Sequence, residues 1–246
     1  MAETIPAASG GFFDPFLRAG IFAQIIMLLL LAASVISWAV IIGKSRSLRR
    51  ARQETREFQS LFRHGARLSD YEAMARKLSA SPLSAMLLAG VAEWNSLDEH
   101  LAGQPDRAGL LQQLIPNVTE AMGRASSREL DRLESRMAFL AITASVAPFL
   151  GLLGTVQGVL RSFLALRGQE FVTLQVLAPG ISDALITTVV GLLVAIPAAF
   201  FYNSLTARVR DLESEMTRFI SELTGIFRRH TLTGHIARPH RDEERL

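Results

Sequence analysis

Apolar residues in this chain gather into three blocks separated by long polar stretches. The first block covers residues 21–42, where Gln24, Ser34 and Ser37 are the only strongly polar members. The second covers residues 137–160 and the third residues 184–202. At a rise of ~1.5 Å per residue, about twenty helical residues cross a hydrocarbon layer of ~30 Å. A helix also satisfies its own backbone polar groups, which lipid demands of any single crossing segment. The pattern predicts an all-α integral membrane protein with three transmembrane helices.

The polar stretches are helical in their own way. Over residues 44–63 and 69–96 apolar positions recur at helical spacing, broken by Ser81-Pro82 and by the polar run from Asp98 to Asp106. Leu110 to Phe139 is predicted as one long helix that enters the second span, interrupted only by Pro116 near its start. Beyond the third block, Leu205, Val209, Leu212, Met216, Phe219, Ile220, Leu223 and Phe227 recur at spacings of three and four. That period predicts an amphipathic helix over 203–230 continuing the span. Residues 231–246 are polar and are expected to be disordered.

Charge orients the spans. Lys44, Arg46, Arg49, Arg50, Arg52 and Arg56 follow the first block, Arg124, Arg128, Arg132 and Arg136 precede the second, and Arg208 and Arg210 follow the third. By the positive-inside rule, segments 43–136 and 203–246 are cytoplasmic. Residues 1–20 and the 161–183 connection then lie outside, so the N-terminus is periplasmic and the C-terminus cytoplasmic. In a cell with two membranes this predicts a multi-pass inner-membrane protein. A cleaved signal peptide fits poorly: residues before the first block include Glu3 and Asp14 and no Lys, and the block is too long. The four arginines at a spacing of four read as attraction to the lipid surface. No nucleic-acid partner is expected, because the basic residues flank apolar segments instead of forming one patch with interleaved aromatics.

Composition narrows the chemistry. There is no cysteine, which excludes disulfides, thiolate metal sites and a cysteine nucleophile. No Ser/His/Asp or paired-carboxylate arrangement suggests catalysis, and the spacing of His230, His235 and His240 recommends no metal site, so neither an enzyme nor a cofactor is expected. The notable residues lie inside the spans. Gly151, Gly154, Thr155 and Gly158 make a small-residue face on the second span; Ala184, Thr188, Gly191, Ala195 and Ala198 make one on the third. Such faces let helices approach closely in lipid. One reading is packing alone. In the other, Thr155 and Thr188 line a narrow hydrated path. Pro148 and Pro197 each free a carbonyl at membrane depth. Asp183 stands at the mouth of the third span, either as a functional acid or as a helix N-cap or first-turn acid favoured by the helix dipole. No span carries Glu, Asp, Lys or His near its centre. A proton path here would have hydroxyls but no titrating group, so the mid-membrane carboxylate is expected from another subunit.

The segments ASVAPFLGLLGTVQGVLRSF (144–163) and LQVLAPGISDALITTVVGLLVAIPAAFFYN (174–203) resemble the TolQ/ExbB/MotA family of proton-channel subunits. The resemblance implies a ring-forming homo-oligomer, usually of five copies, around the single spans of a partner. It implies pore threonines at Thr155 and Thr188, the family acid at Asp183, and family prolines at Pro148 and Pro197. The first-span SW and TLQVLAPGI favour the Tol-Pal branch, whose implied partners are TolR in the pore and TolA beyond it. Proton flow would then drive work on the outer membrane, supporting envelope integrity and constriction at cell division. The alternatives are the ExbB branch, which energises TonB-dependent uptake, and a non-conducting membrane scaffold. Two positions depart from the family: Asp183 replaces the usual Glu, and Gln157 replaces a Trp.

Overall fold

The computed structural model describes residues 20–62, 68–105, 107–167 and 174–233. Expectations for residues 1–19 and 234–246 lie outside the described residues. Among the described residues six helices follow in order: α1 (Ile21–Phe62), α2 (Leu68–Lys77), α3 (Pro82–His100), α4 (Arg107–Glu134), α5 (Met137–Ala165) and α6 (Leu174–Thr233). All regular structure among the described residues is helical. Among the described residues three helices are long and apolar enough to cross a membrane: α1, α5 and the part of α6 from Leu177.

The chain divides into two compact units. One comprises residues up to Ile42 and Arg136–Ser204. In it Ile26 and Leu30 of α1 pack on Ala147 of α5 and on Val194 and Ala195 of α6. The outward faces stay apolar: Leu29 is 53% exposed, Phe149 69% and Ile196 64%. That is the distribution of a unit with lipid or other apolar helices around it, since water would penalise such a surface.

The other unit comprises Gly43–Ser135 and Leu205 onward. Its core joins Phe58 of α1, Trp94 of α3, Met122 of α4 and Phe219 and Phe227 of α6. Trp94 stacks on Phe227 at 5.1 Å, and Phe58 meets the edge of Phe219 at 5.7 Å. Of the periodic positions, Leu205, Val209, Leu212, Met216, Phe219, Leu223 and Phe227 are buried and Ile220 is half-buried. Gly90 lets α3 approach α4, because a Cβ there would stand 2.9 Å from Met122 Cγ.

The single helix expected over Leu110–Phe139 is not found. Pro116 sits within α4 without ending it, and the chain breaks later, between Glu134 and Met137. Arg136 adopts φ 66°, left-handed backbone that interrupts the hydrogen-bond ladder. In an unbroken helix the carbonyls of Arg132 and Leu133 would take the N–H groups of residues 136 and 137. Here the Lys44 ammonium takes them instead, donating to Arg132 O at 2.9 Å, Leu133 O at 3.0 Å and Ser135 Oγ at 2.9 Å. A buried cation thus caps the negative end of α4. Lys44→Met is expected to cost about 2 kcal/mol, the weight of charge-assisted bonds to orphaned carbonyls. Arg136→Gly should instead gain about 1 kcal/mol by relieving the left-handed residue. Thermal midpoints of the detergent-purified variants, one below and one above wild type, check both signs.

Candidate functional site: the contact between α5 and α6

α5 and α6 pack antiparallel. Along α5, Ala147, Gly151 and Gly158 ascend, while their neighbours on α6, Gly191, Thr187–Thr188 and Gly180, descend. At Gly151 and Gly191 the approach is limited by backbone alone. A Cβ on Gly191 would stand 2.7 Å from Ala147 O and 3.1 Å from Gly151 Cα. One on Gly151 would stand 3.0 Å from Thr187 O, and one on Gly158 would stand 2.8 Å from Gly180 O. Both small-residue faces therefore meet each other.

In the middle of that contact the structure joins Thr155 and Thr188. Their hydroxyls touch, and either can be the donor. Thr155 Oγ1 also reaches Gly151 O, its own i−4 carbonyl, at 3.2 Å and Ala184 O across the interface at 3.2 Å. Thr188 Oγ1 reaches Gly151 O at 3.2 Å. Each side chain is partly buried. The result is a four-oxygen cluster of two hydroxyls and two carbonyls, bridging two helices whose remaining contact is glycine, alanine and threonine.

Asp183 is the tenth residue of α6, so the N-cap alternative is overturned. The helix begins earlier than the sequence suggests, because Pro179 and Gly180 are absorbed within it and do not precede it. Asp183 lines a cavity of about 450 Å³ together with Gln157 and Arg161. The rest of its wall includes Gly20–Ala23 at the α1 end, Gly154, Gly158 and Ser162 of α5, and Gly180 of α6. At ~30 Å³ per molecule this volume matches on the order of fifteen waters, and its lining offers them polar partners. Gly154, next to Thr155, forms its inner wall. Thus Asp183 is placed in the cavity and the threonine pair just beyond it.

Pro148 and Pro197 both sit inside helices. Near the first, Ser145 Oγ donates to Ala141 O at 3.0 Å or Ile142 O at 3.1 Å. Two further hydroxyls were not singled out by the sequence reading. Thr187 is fully buried and donates to Ala184 O at 2.7 Å, while Ser162 donates to Gly158 O at 3.1 Å or Leu177 O at 3.4 Å. A signal for Thr187 existed: Gly180, Ala184, Thr187, Gly191 and Ala198 form one small-residue row at helical spacing.

Comparison with known proteins follows the same lines. A family model for the MotA/TolQ/ExbB proton channel family matches residues 80–218. The chain is 40% identical over 220 residues to the Tol-Pal system protein TolQ of Haemophilus influenzae, covering 89% of this chain and 94% of that protein. It is 35% identical over 221 residues to the Tol-Pal system protein TolQ of Pseudomonas aeruginosa, covering 88% and 92%. Biopolymer transport protein ExbB of Salmonella typhimurium is 30% identical over 203 residues, covering 81% and 79%.

Proposed function

The chain belongs to the MotA/TolQ/ExbB proton channel family, and from that premise we propose that it is the channel subunit of a Tol-Pal system in the inner membrane. With a TolR-type partner it converts proton flow into mechanical work on a TolA-type protein that reaches the outer envelope. The observation that carries the reading is the hydroxyl pair of Thr155 and Thr188, held between two helices of matched small-residue faces. Hydroxyls can pass a proton along a hydrogen-bonded chain but hold no charge of their own. The acid that loads and unloads the proton therefore belongs to the partner helix, because no span here carries a titrating residue near its centre.

Several copies surround the partner, five in this reading, so that each threonine pair faces the central helices. Segments 43–136 and 203–246 lie in the cytoplasm and the 161–183 connection lies outside, an orientation supported by the basic residues beside each span. The cavity of Asp183, Gln157 and Arg161 is then a hydrated vestibule on the periplasmic side of the pair. Proton transfer, coupling to the partner and work at the envelope follow in that order.

Deleting the protein tests this. Cells lacking it are expected to leak a periplasmic enzyme and to chain at division, with rescue by the wild-type copy. Retained envelope integrity together with blocked siderophore uptake would move the protein to the ExbB role. Normal behaviour in both assays would leave the channel reading without support.

A further inference from the structure

The hydroxyl of Thr187 has no place in the path just described, because the side chain is wholly buried. It nonetheless controls what the path can do, through one shared acceptor. A carbonyl oxygen accepts two hydrogen bonds comfortably and a hydroxyl donates one. In a helix, Ala184 O already accepts the N–H of Thr188, and Gly151 O that of Thr155. Each has one place left. The remaining place on Ala184 O is contested by Thr187 at 2.7 Å and by Thr155 at 3.2 Å. The shorter bond wins. Thr187's other acceptor, Asp183 O, is distant at 3.4 Å.

We infer that Thr187 is a positioning residue: by occupying Ala184 O it keeps the Thr155 and Thr188 hydroxyls hydrogen-bonded to each other. With Ala184 O filled, one acceptor carbonyl remains for two hydroxyls. Within the cluster only two arrangements then use both hydrogens. Thr155 donates to Thr188 while Thr188 donates to Gly151 O, or Thr188 donates to Thr155 while Thr155 donates to Gly151 O. Both keep a hydrogen between the two side-chain oxygens, so when one hydroxyl takes up a proton from an outside acid it can pass its own to the other, whose former hydrogen then leaves to an outside base, water or the partner's carboxylate. Remove the Thr187 hydroxyl and a third arrangement opens. Thr155 donates to Ala184 O, Thr188 to Gly151 O, and lone pairs face each other across the pair. That arrangement breaks the chain of hydrogens.

The inference rests on the proton-conducting reading above, and one experiment separates the two. The complex with its carboxylate-bearing partner subunit is reconstituted in liposomes enclosing a pH-sensitive dye. Proton entry under an imposed potential is compared for wild type, Thr187→Val, Thr187→Ala and Thr187→Ser, in H₂O and in D₂O. Both variants that lack the hydroxyl are expected to conduct about fivefold more slowly, the weight of one hydrogen-bond preference, with an altered solvent isotope ratio. Thr187→Ser should restore the native rate and ratio. If Thr187→Val is slow but Thr187→Ala conducts normally, the effect is packing against Gly154 and the inference fails. Equal rates in all four proteins overturn it while leaving the channel reading intact. A wild-type complex that passes no protons overturns the channel reading itself, and this inference with it.

Discussion

Thr155→Val is expected to leave the packing of α5 on α6 standing while stopping proton-driven work. Valine keeps the β-branched shape, so helix geometry and van der Waals contact change little. The hydrogen bonds removed are modest for stability, since interhelical hydroxyl bonds in membranes average about 0.6 kcal/mol. For a proton in transit the change is of another order. The methyl group faces Thr188 Oγ1, Gly151 O and Ala184 O where a donor and acceptor stood. Losing even ~3 kcal/mol of stabilisation for a charge at that point slows transfer on the order of 100-fold. Thr155→Ser keeps the hydroxyl and should retain most of the flux. The check is twofold: proton entry into liposomes carrying the complex, and leakage of a periplasmic enzyme from cells carrying each variant at equal protein level. Native flux and native envelope integrity in Thr155→Val would remove the pair from the path and leave these helices as packing alone.

Much of this arrangement is written in the sequence, for reasons that differ by element. The three spans are visible because lipid accepts few polar residues, so hydropathy alone marks α1, α5 and α6. Thr155 and Thr188 stand out for the same reason, as hydroxyls with glycine and alanine around them. Thr187 was hidden by its neighbour. Adjacent helical residues point about 100° apart, and a small-residue row can be threaded through either threonine. Only the close approach of Gly154 to the Thr187 side chain shows which of the two lies in the contact. In the sequence Asp183 resembles a cap because Pro179-Gly180 looks like a helix breaker. Pro179 instead falls within α6, and Gly180 is there for α5: a Cβ on it would meet the Ser162 hydroxyl and stand 3.0 Å from Gly158 O. The break at Arg136 left no local trace, because residues 134–137 include neither glycine nor proline. Its partner, Lys44, is 88 residues from Arg132 along the chain, so only the tertiary structure brings the cap to the break.

Gly191→Leu is expected to abolish the stable protein, and Gly191→Ala to cost about 1–3 kcal/mol, the usual penalty of one overpacked methyl. The reason lies in what the new atoms would meet. The added Cβ faces Ala147 O at 2.7 Å, Gly151 Cα at 3.1 Å and Gly151 N at 3.3 Å, all of them backbone. No side chain can rotate away, so α5 and α6 must separate. Separation takes the small-residue contact apart along its length, and with it the threonine pair, since Gly151 O serves both hydroxyls. Gly154 is different: there the obstacle is the Thr187 side chain, its hydroxyl nearest and its Cγ2 at 3.1 Å, both of which an alanine lacks, while its Cβ at 2.7 Å would remain. Gly154→Ala should therefore be partly rescued by Thr187→Ala, whereas no single side-chain trimming rescues Gly191→Ala. Gly43→Ala serves as the control, because a Cβ there meets nothing within 4 Å. Thermal midpoints and membrane protein levels read the series. Its ordering decides between a contact set by backbone and one that repacks: if Gly191→Ala melts with Gly43→Ala, the helices have room to part, and the close approach that holds Thr155 against Thr188 is not needed for stability.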